Sequence, residues 1–212
     1  MTGDEKHSFS ANSTLDVLWL LYDRVLRVNP ANPDDTERDR FLLSKGHGPM
    51  AYYAVLAAKG FIPLDALPTF GRYDSILGFH PDGQLIPGVE IGSGPLGHGL
   101  PIASGVAAGL RARRMDGPRV FCLVGDAELD EGSNHEAIAA AARLGLNNLN
   151  VVVVDNKSAS HGWPGGIAAR FAVEGWSTSD VDGRDHGALH EAFSTPHPEA
   201  PHAVVAHVET KG

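Results

Sequence analysis

"LVGDAELDEGSNHEA", residues 123–137, is the stretch on which the fold turns. An apolar run enters Gly125-Asp126, and Glu128, Asp130, Glu131 and Glu136 then crowd together before an alanine-rich segment. The chain already carries a net charge of −9, so such crowding costs repulsion unless a cation sits there or the side chains point apart. Upstream, Val120 to Val124 reads as a buried strand. Ser133-Asn134-His135-Glu136 fits the capping box S-x-x-E, which predicts a helix from Ser133 to about Leu144. "NVVVV", 150–154, is a second continuous β-branched run. Continuous rather than alternating apolarity suits strands covered on both faces, as in a parallel sheet. Strand, helix and strand make a βαβ unit, so the predicted fold class is α/β.

Working outward, residues 13–27 carry Leu15, Leu18, Leu21, Tyr22 and Val25 at helical spacing, with Asn12 or Ser13 as the expected cap. "FLLSKGHGPMAYYAVLAAKGF", 41–61, predicts a short apolar run, a Gly-His-Gly corner and a helix that stops at Gly60. Residues 71–99 read as irregular and glycine-rich, and Leu100 to Met115 as a helix of small side chains. A further helix is expected at His186 to Phe193, followed by a strand in 202–210. No repeat or interdomain linker interrupts this pattern. Residues 1–212 read as one domain, with 1–10 as a flexible start.

Composition excludes several classes. At 42% hydrophobic and 20% charged, the chain reads as soluble and globular. The acidic balance argues against nonspecific nucleic-acid or anionic-membrane binding. No segment approaches 18 uninterrupted apolar residues, and "MTGDEKHSFS" lacks the layout of a signal peptide. The single Cys122 excludes an intramolecular disulfide and reads as a small buried hydrophobe. The expected location is the cytoplasm.

Two strand ends carry oxygen donors: Asp126 after the first, Asp155-Asn156 after the second. In an open parallel sheet, ligands bind beyond the carboxyl ends of the strands. If the two strands are neighbours, Asp126 and Asn156 converge. A carboxylate, an amide oxygen and a loop carbonyl suit octahedral Mg²⁺ at about 2.1 Å, its shell completed by phosphate and water. The helix amino end behind them favours a phosphate at the same place. The plain alternative is that Gly-Asp and Asp-Asn are ordinary turns.

The stretch from Gly125 to Lys157, "GDAELDEGSNHEAIAAAARLGLNNLNVVVVDNK", resembles the thiamine-diphosphate motif of transketolases, with Asn156 thirty positions after Asp126. "DRFLLSKGHGPMAYYAVLAAKGF", "LGFHPDGQLIPGVEIGSGPLGHGLPIASGVAAGL", "DGRDHGALHEAF" and "HAVVAHVETKG" resemble, in order, further segments of the same domain, so the likeness runs from about residue 14 to 212. It implies a three-layer thiamine-diphosphate-binding fold, a mostly parallel sheet with helices on both faces. It also implies thiamine diphosphate with Mg²⁺, or Ca²⁺ or Mn²⁺ in its place. The resemblance ends where the family's first domain ends. The implied protein is the amino-terminal subunit of a split transketolase, a transferase moving a two-carbon ketol unit between sugars. Its partner would be a separate subunit carrying the pyrimidine-binding domain, in a hetero-oligomer such as α2β2.

By that resemblance Asp126 and Asn156 are metal ligands through their side chains and Ser158 through its carbonyl. Gly125 and Ala127 lie against the diphosphate, and Gly94, Pro95 and Leu96 meet the rings. His47 and His80 line the substrate channel and assist proton transfer. Glu131 sits near the cofactor or the subunit junction, and Glu136 shares that likeness with its capping role. The acid that activates the aminopyrimidine belongs to the pyrimidine domain, so the chain alone is expected to be inactive.

The sequence also departs from the family. Ala127 replaces the second glycine of Gly-Asp-Gly, and alanine resists positive φ. "DEKHSFSAN" stands where the family has an early Gly-His-Pro-Gly or Gly-His-Ile-Gly motif. "SASHGWPGGI" replaces the usual tail of the metal motif, and His161 within it is a further candidate to face the channel. Two rival readings follow: a degenerate scaffold subunit, and an NAD-dependent dehydrogenase built on Gly92-x-Gly94-x-x-Gly97. The second requires a strand just before Gly92, where Pro87 and Gly88 interrupt the sequence.

Overall fold

A computed structural model describes residues 8–209 of the chain. Its elements run α1 (Ser8–Leu20, continued by a π turn over Leu21–Val25), β1 (Arg40–Leu43), α2 (Met50–Ala58), α3 (Gly99–Ala112) and β2 (Val120–Gly125). They continue through α4 (Gly132–Arg143), β3 (Leu149–Asp155), α5 (Gly166–Ala172), β4 (Ser177–Asp182), α6 (His186–Ser194) and β5 (His202–His207). The sheet order is β1-β2-β3-β5-β4, and every pairing is parallel. Every residue of β2 and β3 is buried, which is what their unbroken apolar runs require.

The strands alternate their side chains between two packed layers. Phe41, Phe121, Leu123, Val152, Val154 and Val204 face α1, α2 and α6. Leu42, Val120, Cys122, Val124, Val151 and Val153 face α3, α4 and α5. The result is the expected three layers, an α/β sandwich with helices on both faces of the sheet. Alanines allow α3 and α4 to lie close to it: Ala103, Ala107, Ala137 and Ala141 are all buried there. Among the described residues, no helix is long and apolar enough to cross a membrane.

Several expectations need correction. The first helix begins at Ser8, so Asn12 and Ser13 lie inside it and do not cap it. Part of the expected flexible start, residues 1–7, lies outside the described residues, and 8–10 are helical. The helix after Asp126 begins at Gly132, with Glu131 at the cap position and no side-chain cap bond. The Ser133 hydroxyl donates instead to the Gly97 carbonyl at 2.5 Å, so the capping box does not form. Two elements escaped the sequence reading. β4 is an edge strand of mostly polar residues, and α5 is seven residues long behind Gly165 and Gly166, both at positive φ.

The amino end of β5 carries a pH-sensitive contact. His202 is buried there, and burial pushes its pKa down to about 4, helped by repulsion from His197. The two rings stack at 5.0 Å, and His202 Nδ1 shares a 3.0 Å bond with the Ser177 hydroxyl. The folded chain therefore holds this imidazole neutral, while the unfolded chain protonates it near pH 6.5. Stability is full above that pH and falls as acid drives the unfolded state to take up the proton, down to about pH 4. The expected loss is roughly 3 kcal/mol. Urea midpoints measured from pH 7 to 5 should fall in the wild type and flatten in His202→Gln; equal slopes would count against this origin.

Candidate functional site

Four loops meet at the carboxyl edge of the sheet: 44–48 after β1, 93–97 before α3, 125–131 after β2 and 155–161 after β3. The strand register sets the central pair. Gly125 is paired with Val154, and the Asp126 amide donates to the Val154 carbonyl at 3.2 Å. Asp126 and Asn156 therefore emerge from adjoining strand tips, as the neighbour-strand argument requires.

Both are nearly buried, at 2% and 3% exposure. Asp126 Oδ2 accepts from the Ser158 amide at 2.6 Å and the Ala159 amide at 3.0 Å, and Oδ1 from the Ser158 hydroxyl at 2.7 Å. The carboxylate thus gathers the third loop onto the second. Lys157, between Asn156 and Ser158, has φ of +58°, the left-handed conformation that bends the loop back. Asn156 Oδ1 is buried and accepts no hydrogen bond. Such an acceptor is costly without a positive partner. An orphaned amide oxygen and a buried carboxylate on adjoining strand tips are donors of the kind a hard divalent cation satisfies. Among the described residues no group of three or more His, Cys, Asp or Glu side chains could hold a metal, so a cation here would rely on amide, carbonyl or phosphate oxygens besides the Asp126 carboxylate.

Asp155, the neighbouring residue, is held by other partners. It bonds the Lys157 ammonium and, at 3.0 Å, His207 Nδ1. Burial raises its pKa, but those bonds to Lys157 and His207 outweigh it and hold the carboxyl below its ordinary range.

The two histidines that the resemblance assigns to the channel lie against each other. The rings of His47 and His80 contact edge to face at 5.3 Å. A methyl at Gly94 would lie 3.2 Å from the His80 ring, and one at Gly46 would lie 2.7 Å from Ser93 Oγ and 2.8 Å from the Gly94 amide. The Gly-His-Gly corner is therefore pressed against the Gly-Ser-Gly loop, and glycine is what lets the two backbones touch. Pro95 is exposed on this loop and Leu96 half-buried.

Ala127 opens a short 3-10 turn, Ala127–Asp130, and is absent from the positive-φ residues. The methyl therefore meets no backbone strain there. Glu131 and Glu136 are both exposed, Glu131 against Gly97 and Glu136 on the outer face of α4. His161 lines a cleft of about 240 Å³ together with Asp126, Asp130, His135, Trp163 and Arg170. Asp130 holds this loop through the amides of Ser160 and His161 at 3.0 and 3.3 Å.

Glu128 is the residue the sequence reading passed over. It is 1% exposed, and its Oε1 accepts from the Ser44 hydroxyl and, at 2.9 Å, from the Gly97 amide. Burial pushes its pKa up against the opposing pull of those donors. The available signal was its setting between Ala127 and Leu129, whereas Asp130, Glu131 and Glu136 each have a polar neighbour.

The segment before Gly92 contains no strand, so the dinucleotide fingerprint lacks its required context.

Comparison with known proteins agrees with this geometry. Residues 4–210 match the family described as transketolase, thiamine diphosphate binding domain. The chain is 37% identical over 214 residues to one of the named subunits of the apulose-4-phosphate transketolase of Actinobacillus succinogenes, covering 97% of this chain and 76% of that protein. It is 59% identical over 208 residues to a Rhodococcoides fascians protein named ferredoxin fas2, covering 98% of this chain and 68% of that protein. The solved transketolase from Leishmania mexicana superposes with a TM-score of 0.78 at 26% identity, over 96% of this chain but 36% of that one. The chain thus spans about a third of the solved transketolase. It belongs to the family of transketolase thiamine-diphosphate-binding domains.

Proposed function

We propose that this chain is the diphosphate-binding subunit of a split transketolase, working as one domain in the cytoplasm. The observation that carries the reading is the buried, unbonded Asn156 Oδ1 on the strand tip adjoining the one that carries the buried Asp126 carboxylate. On this reading Asp126, Asn156 and the Ser158 carbonyl hold Mg²⁺, or a similar divalent cation, and Gly125 and Ala127 lie along the diphosphate. Gly94, Pro95 and Leu96 support the cofactor rings. When bound, thiamine diphosphate supplies the electron sink that lets a ketose carbon–carbon bond break and a two-carbon unit pass to an aldehyde.

The chain's own residues orient and exchange protons. His47 and His80, in mutual contact at 5.3 Å, face the substrate and bond its hydroxyls. Glu131, exposed beside Gly97, stands where a second chain can reach it. That second chain carries the pyrimidine-binding domain, in an assembly such as α2β2. The Actinobacillus relative is named as one subunit of a transketolase, which supports a two-chain enzyme here. Exposed Tyr73, Phe79 and Leu85, in the segment leading to and past His80, give such a partner apolar surface near the site. Sugars or sugar phosphates are the substrates.

Ala127 motivates the scaffold alternative, but its ordinary φ removes the main reason to expect a lost cofactor site. The name ferredoxin on one relative raises a redox reading. With the single, buried Cys122, this chain does not itself provide the four thiolates of a plant-type cluster.

The test is reconstitution. The chain alone should show no ketol transfer above background. Adding a transketolase-like second subunit, thiamine diphosphate and Mg²⁺ should give transfer between ketose and aldose substrates that EDTA abolishes. Full activity from the chain alone, or none from any two-chain mixture that assembles and binds cofactor, would refute the proposal.

A further inference from the structure

We infer that Glu128 is a positioning residue: its buried carboxylate holds three cofactor-bearing loops in one register. The inference rests on the transketolase reading above. The carboxylate sits where those loops converge. Its Oε1 accepts from the Ser44 hydroxyl and the Gly97 amide, and Oε2 accepts from the Gly125 amide at 3.4 Å. Each anchored residue is close in sequence to a group assigned to cofactor or substrate. Ser44 is three residues from His47, Gly97 follows Leu96, and Gly125 precedes Asp126.

The tie extends one step further on either side. Ser44 Oγ accepts from the Gly99 amide at 3.0 Å, which fixes the first turn of α3. The Glu128 carbonyl accepts from Asn134 Nδ2 at 2.6 Å, which fixes the first turn of α4. Ser133, next to Asn134, donates to the Gly97 carbonyl at 2.5 Å and closes the ring of contacts. The aliphatic stem of Lys45 crosses Gly125, close enough that a methyl there would lie 3.1 Å from its Cδ.

A charged carboxylate in a buried position is expensive, and an apolar side chain would fill the space at lower cost. What an apolar residue cannot do is accept from a hydroxyl on one loop and an amide on each of two others. The ordering of these loops before the cofactor arrives reduces the conformational entropy lost on binding. Glu128 itself touches neither cation nor cofactor on this account; it acts through Ser44, Gly97 and Gly125.

The experiment measures thiamine-diphosphate affinity in Mg²⁺, by titration calorimetry on the chain assembled with its pyrimidine-domain subunit, well below every variant's Tm. Wild type, Glu128→Ala, Glu128→Gln, Ser44→Ala and Leu189→Ala are compared. Leu189 lies on α6, in the opposite packed layer, and controls for a general loss of stability. Glu128→Ala should weaken binding about 10- to 100-fold, the scale seen when a supporting partner of a metal site is removed. Glu128→Gln keeps an acceptor for Ser44 and Gly97 and should recover most of that loss. Ser44→Ala should weaken binding less than Glu128→Ala and remains informative if that variant does not fold. Leu189→Ala should lower Tm and leave affinity unchanged. Glu128→Ala binding as wild type does would overturn the inference alone. So would losses that track Tm across all variants. Wild-type protein that binds no thiamine diphosphate would instead remove the reading of the site and the inference with it.

Discussion

Asp126→Ala is expected to lower Mg²⁺-dependent affinity for thiamine diphosphate by about 100-fold or more, and ketol transfer with it. Loss of an outer supporting partner of a metal site costs about 10- to 100-fold, so loss of a charged ligand belongs at or above the upper end. Two effects combine. On the proposed reading the cation would lose its one carboxylate ligand from this chain, and the loop after β3 loses three bonds, from the Ser158 amide, the Ser158 hydroxyl and the Ala159 amide. Asp126→Asn separates them. It keeps an oxygen for one side of the loop and removes the charge, so its affinity should fall between wild type and Asp126→Ala. Equal affinity of all three proteins would show that the strand tip does not hold the cation.

The second large effect is on stability, at the opposite edge of the sheet. Asp39 is 0% exposed and lies just before β1. It accepts from the Arg27 amide at 3.0 Å and guanidinium at 2.8 Å, and from the Arg119 amide at 2.9 Å and guanidinium at 2.6 Å. Burial pushes its pKa up, but the two arginines and the two amides outweigh this and hold it below the ordinary value. Its contribution is therefore present at neutral pH and lost as acid protonates the folded carboxylate. Removing one partner of a buried pair costs about 3–5 kcal/mol. Arg27 and Arg119 are 55% and 34% exposed, so water recovers part of that, and Asp39→Ala should cost roughly 2–3 kcal/mol. Urea unfolding at unchanged m-value measures it. A midpoint within error of wild type would mean that the arginines are fully satisfied by solvent.

The same contrast between buried and exposed groups explains what could be read from the sequence. β2 and β3 were legible because both faces are covered, which turns their sequences into unbroken apolar runs. β4, Ser177–Asp182, lies at the sheet edge with only part of each face covered, so "STSDVD" carries no such signal. α5 was missed because seven residues behind two glycines offer too few turns for a period to show. The placing of Asp126 and Asn156 on adjoining strand tips followed from strand adjacency, which the βαβ pattern implies. The contact of His47 with His80 was not legible, since no local pattern places two loops 33 residues apart in contact; motif likeness singled out each histidine separately.

The capping box failed for a physical reason. Ser133 had two acceptable partners, the helix amide and the Gly97 carbonyl, and a loop distant in sequence won. Glu128 was invisible for a related reason: the donors Ser44 and Gly97 come from loops distant in sequence, and only the tertiary fold brings them to the Glu128 carboxylate.

The most direct test of the account is a crystal structure of the chain, with its partner subunit where the two copurify, grown in Mg²⁺ and thiamine diphosphate. The account predicts one Mg²⁺ bound at about 2.1 Å by both an Asp126 carboxylate oxygen and Asn156 Oδ1, with the diphosphate completing its shell. Bound thiamine diphosphate whose cation leaves Asn156 Oδ1 without contact would contradict it.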